Sequence, residues 1–106
     1  MPNRGEVWLV DLGMVEKVRP ALVLSGPCES SDRDLITVVP HTTTLRGSRF
    51  EINIPMSFLK PGAFLVQSPS TVPKVRALKL LGRMSDLQLQ SIEKGLLEWL
   101  RIARNE

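Results

Sequence analysis

Two regimes of hydrophobic patterning divide the chain. Through the first eighty-odd residues short apolar runs are cut by Gly and Pro, whereas over the last twenty the apolar positions recur at three- and four-residue steps. Short runs of that kind fit strands, and the three-four repeat fits one face of a helix. Residues 6–12 alternate around Val7 and Leu9 between Gly5 and Gly13, and residues 21–24 follow Pro20 and stop at Gly26-Pro27. Residues 35–39 are rich in β-branched side chains, and Pro40 is predicted to close them. Residues 50–54 place Phe50, Ile52 and Ile54 on one face, a fifth strand covers residues 63–66 after Pro61-Gly62, and a sixth runs about 75–81. Pro69 and Pro73 break the stretch before the sixth, which predicts a distinct edge or interface there.

The final segment opens on Ser85 with Gln88 three residues on, a capping-box pattern. Leu89, Ile92, Leu96, Trp99, Leu100 and Ala103 then mark one amphipathic helix. Gly95 interrupts it at a cost of roughly 1 kcal/mol relative to Ala, which propensity does not explain. The prediction is a mainly β protein, a small barrel of about six strands with a C-terminal amphipathic helix laid against it. Neither repeat nor linker divides the chain, so residues 1–106 are expected to form a single domain.

Composition narrows the function classes. With 106 residues, 42% hydrophobic and 24% charged, the chain has ordinary globular composition. Its longest apolar runs are far below the roughly 18 residues that span a bilayer. The first six residues carry Arg4 and Glu6 and no apolar core, so no secretory signal is expected and a cytoplasmic location is predicted. A single Cys28 rules out an intrachain disulfide, and with a single His41 no zinc ligand set exists. A histidine pair, a P-loop and a dinucleotide glycine pattern are all missing, so neither metal nor cofactor is expected. The net charge is +3; residues 85–106 hold three bases and four acids, leaving +4 on residues 1–84. Nine of the fourteen bases are Arg, the side chain suited to forked phosphate contacts, which points weakly to an anionic partner.

The remaining polar chemistry clusters at two strand ends: Lys17-Val18-Arg19-Pro20 before the second strand and Pro40-His41-Thr42-Thr43-Thr44-Leu45-Arg46 after the third. Singly, each has an ordinary structural explanation, a surface cation ahead of a strand or hydroxyls capping a turn. Arg46 and Arg49 follow the Thr cluster and Lys17 precedes Arg19, so these three are candidates for contacts with the phosphates of an anionic partner. Trp8 and Trp99 are read as core or interface residues rather than base-stacking platforms.

Taken in order, four stretches resemble the MazF/PemK family of toxin endoribonucleases from type II toxin-antitoxin systems. They are Arg4-Gly5-Glu6-Val7-Trp8-Leu9-Val10-Asp11-Leu12, Arg19-Pro20-Ala21-Leu22-Val23-Leu24-Ser25, Val39-Pro40-His41-Thr42-Thr43, and Leu81-Gly82-Arg83-Met84-Ser85-Asp86 ahead of the helix. The resemblance implies an SH3-like barrel of the CcdB/PemK kind, a homodimer, a cognate antitoxin as partner, and metal-independent cleavage of single-stranded RNA. It also implies a catalytic pair, Arg19 and Thr42, with Thr43 the nearest alternative to Thr42. His41 has a better pKa than Arg for proton transfer and is a possible assistant, although the family does not require it. Two departures stand out. Gln67-Ser68-Pro69-Ser70 replaces the Asp-Gln with a following Arg that many relatives carry, and the loop over residues 13–18 is shorter than theirs. Two rival functions remain open: a CcdB-like toxin that binds a protein target such as gyrase, and a noncatalytic barrel that binds nucleic acid.

Overall fold

The computed structural model describes residues 2–13 and 17–103. Residues 14–16 of the shortened first loop, and Arg104, lie outside the described residues. Seven strands follow in chain order: β1 (Glu6–Asp11), β2 (Val18–Val23), β3 (Leu35–Thr42), β4 (Glu51–Ile52), β5 (Ala63–Leu65), β6 (Ser70–Pro73) and β7 (Ala77–Arg83). Among the described residues one 3-10 turn, Lys74–Arg76, precedes β7, and one helix, α1 (Asp86–Leu100), follows it. All pairings are antiparallel, in the order β4-β5-β3-β2-β1-β7 with β6 on β3. The mainly β architecture with a C-terminal helix is as expected from the sequence. The strand number is seven rather than about six, and the hydrogen-bonded path among the described residues does not close into a ring.

Proline accounts for two of the differences in strand assignment, and a third is that β2 begins at Val18, so that Arg19 and Pro20 lie within the strand rather than before it. Pro40 does not close the third strand: β3 continues through it to Thr42, with Pro40 registered against Ala21 of β2. On its other edge β3 pairs with β6 as far as Val38 and with β5 from His41, so Pro40 lies in the gap between these two partners. The strand missed in sequence, β6, follows Pro69 directly and ends on Pro73, which is registered against Leu35. It pairs through one edge only, where a residue without N–H is tolerated. The fourth strand is only Glu51–Ile52, although Phe50 and Ile54 are buried and Ile52 packs on the core as its alternation predicted.

Alternation sorts the strand side chains into two layers. Val7, Leu22, Leu24, Val39 and Phe64 form the layer beneath α1, joined by Ile92 of the helix. Val10, Ala21, Val23, Ile36 and Val38 form the other. The helix begins as its sequence predicts: Gln88 N donates to Ser85 Oγ at 3.2 Å and Ser85 N donates to Gln88 Oε1 at 2.9 Å. It stops at Leu100, leaving Ala103 outside, because Arg101 takes a left-handed φ of 59° and Ile102 N donates to Leu97 O. Gly95 gains its reason here. A Cβ at that position would stand 3.0 Å from Ile52 Cδ1 and 3.4 Å from Val66 Cγ2, so its absence lets the helix settle on the sheet.

Both tryptophans serve packing. Trp8 is half-buried, packs on the second layer and donates from Nε1 to Glu6 Oε1 at 3.0 Å. Trp99 meets Phe50 edge-on at 5.3 Å. Burial would raise the pKa of Glu6, but hydrogen bonds from Trp8, from Asn3 N and from Arg83 hold it below the usual carboxylate value.

Candidate active site

Sheet register brings the two strand-end clusters together. β2 and β3 pair Val23 with Val38, Leu22 with Val39 and Ala21 with Pro40, and extending this register by two residues sets Arg19 across from Thr42. Both line a cleft of about 440 Å3, together with His41, Thr43 and Lys60 and with apolar walls from Leu9, Leu59 and Leu81.

Thr42 is buried, and its hydroxyl is locally oriented: Thr44 N donates to Thr42 Oγ1 at 3.1 Å. Donation in return to Thr44 O is long, at 3.5 Å, which leaves the hydroxyl proton available to a stronger acceptor. His41 is 6% exposed and meets Phe64 edge-on with ring centroids 5.0 Å apart. Burial lowers its pKa below 6.5, so its imidazole is neutral at pH 7.

The loop between β4 and β5 closes over this end of β3. A Cβ on Gly62 would run into the Thr42 carbonyl and lie 2.8 Å from His41 Cε1, so only glycine permits that approach. Nearer the loop's start, the Phe58 ring covers Gly82 of β7, where a Cβ would meet Phe58 Cζ at 2.7 Å. Between these two contacts lies Lys60, which lines the cleft with Arg19 and which sequence reasoning missed. Nothing local marks it: Lys60 precedes a Pro-Gly turn and reads as an ordinary loop lysine until the turn folds back onto β3.

The other sequence candidates lie apart from this cleft. Arg46 lines a smaller recess with Thr44, Gln67 and Ser68. Arg49 lies at the far end of the helix, its guanidinium 4.5 Å above the Phe50 ring, in a groove shared with Lys94 and Arg101. Lys17 is exposed, with φ of 55° in the turn where Leu12 N donates to Lys17 O, and it does not line the Arg19–Thr42 cleft. Among the described residues no group of three or more His, Cys, Asp or Glu is placed to hold a metal ion, and no helix is long and apolar enough to cross a membrane.

Comparison with known proteins bears on this arrangement. Residues 3–100 match the model of a family described as PemK-like, MazF-like toxin of type II toxin-antitoxin system. No curated protein matches the sequence. Among solved structures, an endoribonuclease in complex with its cognate antitoxin from a mycobacterial species superposes with a TM-score of 0.82 at 23% identity, covering 99% of this chain and 100% of that one. A MazE-MazF structure from Deinococcus radiodurans gives 0.78 at 22% identity over 96% and 97% of the two chains. The Mycobacterium tuberculosis toxin MazF-mt6 gives 0.79 at 20% identity over 93% and 99%. At these identities the structural likeness establishes the fold, while the family match spans all seven strands and the whole of α1. The chain therefore belongs to the PemK-like, MazF-like toxins of type II toxin-antitoxin systems.

Proposed function

We propose that this toxin is an endoribonuclease that cuts single-stranded RNA at the Arg19–Thr42 cleft. The observation that carries the proposal is the register that brings a guanidinium and an oriented hydroxyl to one cleft from two separate strands. Similar folds described as endoribonucleases support the reading.

The reaction asks for stabilisation of charge rather than for a protein nucleophile. The ribose 2'-oxygen attacks the adjacent phosphorus as the bond to the 5'-oxygen breaks. The 2'-hydroxyl loses its proton, the departing 5'-oxygen gains one, and the products are a 2',3'-cyclic phosphate and a 5'-hydroxyl. Negative charge grows on the nonbridging oxygens at the crowded phosphorus. Arg19 meets that charge with a permanent cation, and Thr42 donates its hydroxyl proton to the same oxygens; each such donor is worth about 3–4 kcal/mol of barrier. Arg19 is a poor proton carrier, because a guanidinium holds its delocalised charge and is suited to binding anions rather than to passing protons. His41, neutral and at the wall of the cleft, is the side chain in the right protonation state to accept a proton.

In this reading the chain acts in the cytoplasm, pairs as a homodimer and is silenced by a cognate antitoxin. Neighbours described as complexes with a cognate antitoxin or with MazE support the last point. Exposed Leu78 and Leu80 on β7, which among the described residues pairs with β1 alone, supply apolar surface for a second copy. The test is purified protein on a defined labelled transcript with EDTA present. New 5'-hydroxyl ends, lost in Arg19→Ala, are expected. Saturable binding with the RNA left intact overturns the nuclease in favour of a noncatalytic binder.

A further inference from the structure

Lys60 stands where two clefts meet. The Arg19–Thr42 cleft and a larger neighbour of about 730 Å3 share His41, Thr43, Leu59 and Lys60 as walls, so a chain-like ligand can pass from one into the other. Their chemistry differs. The smaller holds the cations and hydroxyls that suit a phosphate. The larger has an apolar floor of Ile54, Met56 and Leu59 and a polar rim that includes Glu51.

Glu51 makes that rim an acceptor. Its Oε1 takes N–H bonds from Arg46 at 3.2 Å, Gly47 at 2.9 Å and Ser48 at 3.0 Å, whereas Oε2 takes one of the described bonds, from Arg46 at 2.9 Å. The backbone bond from Arg46, with those from Ser48 and Gly47, keeps its pKa below the usual value despite partial burial. A carboxylate fixed in this way repels phosphate and has acceptor capacity left on Oε2 for an amino group. A cleft of this size, with an apolar floor and one oriented acceptor, fits an unstacked nucleobase. The loop that carries Lys60 is held on either side of it, by Phe58 on Gly82 and by Gly62 on Thr42, which keeps Lys60 at the wall the two clefts share without a large ordering cost.

We infer that the larger cleft binds the nucleobase next to the scissile phosphate, that it selects a base bearing an exocyclic amino group, and that Lys60 holds the phosphate linking the two clefts. The inference rests on the reading of the Arg19–Thr42 cleft as the site of RNA cleavage.

The experiment maps the preferred cut of the wild-type protein and then replaces each base flanking it by a counterpart lacking the amino group: inosine for guanosine, purine riboside for adenosine, uridine for cytidine. At one flank kcat/KM is expected to fall about tenfold or more, the loss typical of a bond to a charged acceptor. Lys60→Ala is expected to raise KM and to lower the slope of log affinity against log salt by about one, with Lys60→Arg restoring it. Lys60→Gln, which keeps most of the side-chain stem, reads the same slope should the alanine variant fold poorly. Equal cleavage at both flanks, uracil preferred at both, or an unchanged salt slope in the Lys60 variants overturns the subsite while leaving the nuclease intact. A wild-type protein that cuts nothing sinks the nuclease instead. Binding of 2'-deoxy versions of the same oligonucleotides then decides the subsite: amino preference with a Lys60-dependent slope supports it, and indifference overturns it.

Discussion

Two regions of this toxin gather positive charge, and they are built differently. At the end of β2 and β3, Arg19 and Lys60 share a cleft with the oriented hydroxyl of Thr42, and neighbouring clefts continue it along the surface. At the far end of α1, Arg49, Lys94 and Arg101 line a groove together with Glu98. There the Arg49 guanidinium already lies over Phe50, and a carboxylate stands among the bases. By net charge the two are equal, because Glu98 offsets one of the three bases at the helix end. What separates them is that the strand end sets a cation beside a hydrogen-bond donor on rigid strands, which stabilisation of a transition state requires and electrostatic attraction alone does not.

Breaking the strand-end arrangement is expected to have the largest effect. Arg19→Ala should lower kcat on RNA by on the order of 1,000-fold, and Thr42→Val by about 100-fold, with folding judged unchanged by circular dichroism. If both variants cut at the wild-type rate, the two regions are equivalent and the assignment fails. Gly62→Ala attacks the same place from the loop side. Its Cβ meets the Thr42 carbonyl, so the urea midpoint should drop by an amount equivalent to roughly 1–3 kcal/mol, with cleavage reduced as well.

A pH series sharpens the comparison further. Burial lowers the pKa of His41, so the native state resists the proton that the unfolded chain accepts at its ordinary value of 6.5. The stability His41 contributes is complete above pH 6.5 and is lost as pH falls below it. The pKa values of Glu6 and Glu51 are lowered as well, and their contributions fade only as pH drops through and below about 4.5. Urea midpoints between pH 7.5 and 5.5 should therefore decline in the wild type and stay flatter in His41→Gln. An identical decline in both would move the effect away from this residue. The smallest effect belongs to the helix end: Arg49→Ala is expected to alter cleavage by about threefold or less, as for an exposed charge far from the reacting groups. A larger drop there would mean that the RNA also runs over the end of the helix.

Legibility followed the range of the interactions involved. The capping box at Ser85 and the three-four repeat that follows it are local, and the helix starts where they place it. Its end moved, because the left-handed cap at Arg101 has no glycine to announce it. Pro40 misled for the opposite reason. Proline usually ends a strand, but here the partner strands on one edge leave a gap that accommodates it, and that gap belongs to β5 and β6 rather than to β3. Arg19 and Thr42 were legible as candidates because each lies in a motif that resembles a known family. Lys60 was not, since its importance depends on a loop folding back across the sheet.

By itself the sequence determined the inventory: which runs become strands, where the helix is capped, and which guanidinium and hydroxyl are on offer. Those properties are encoded within a few residues, by side-chain shape, alternation and capping hydrogen bonds. Only the tertiary structure decided that β2 and β3 pair in the register that sets Arg19 level with Thr42, that Gly62 and Gly82 let one loop press down at two points, and that Lys60 therefore joins two clefts. Pairing register and loop docking are settled by burying two apolar layers at once, a condition on the whole chain that no short segment carries.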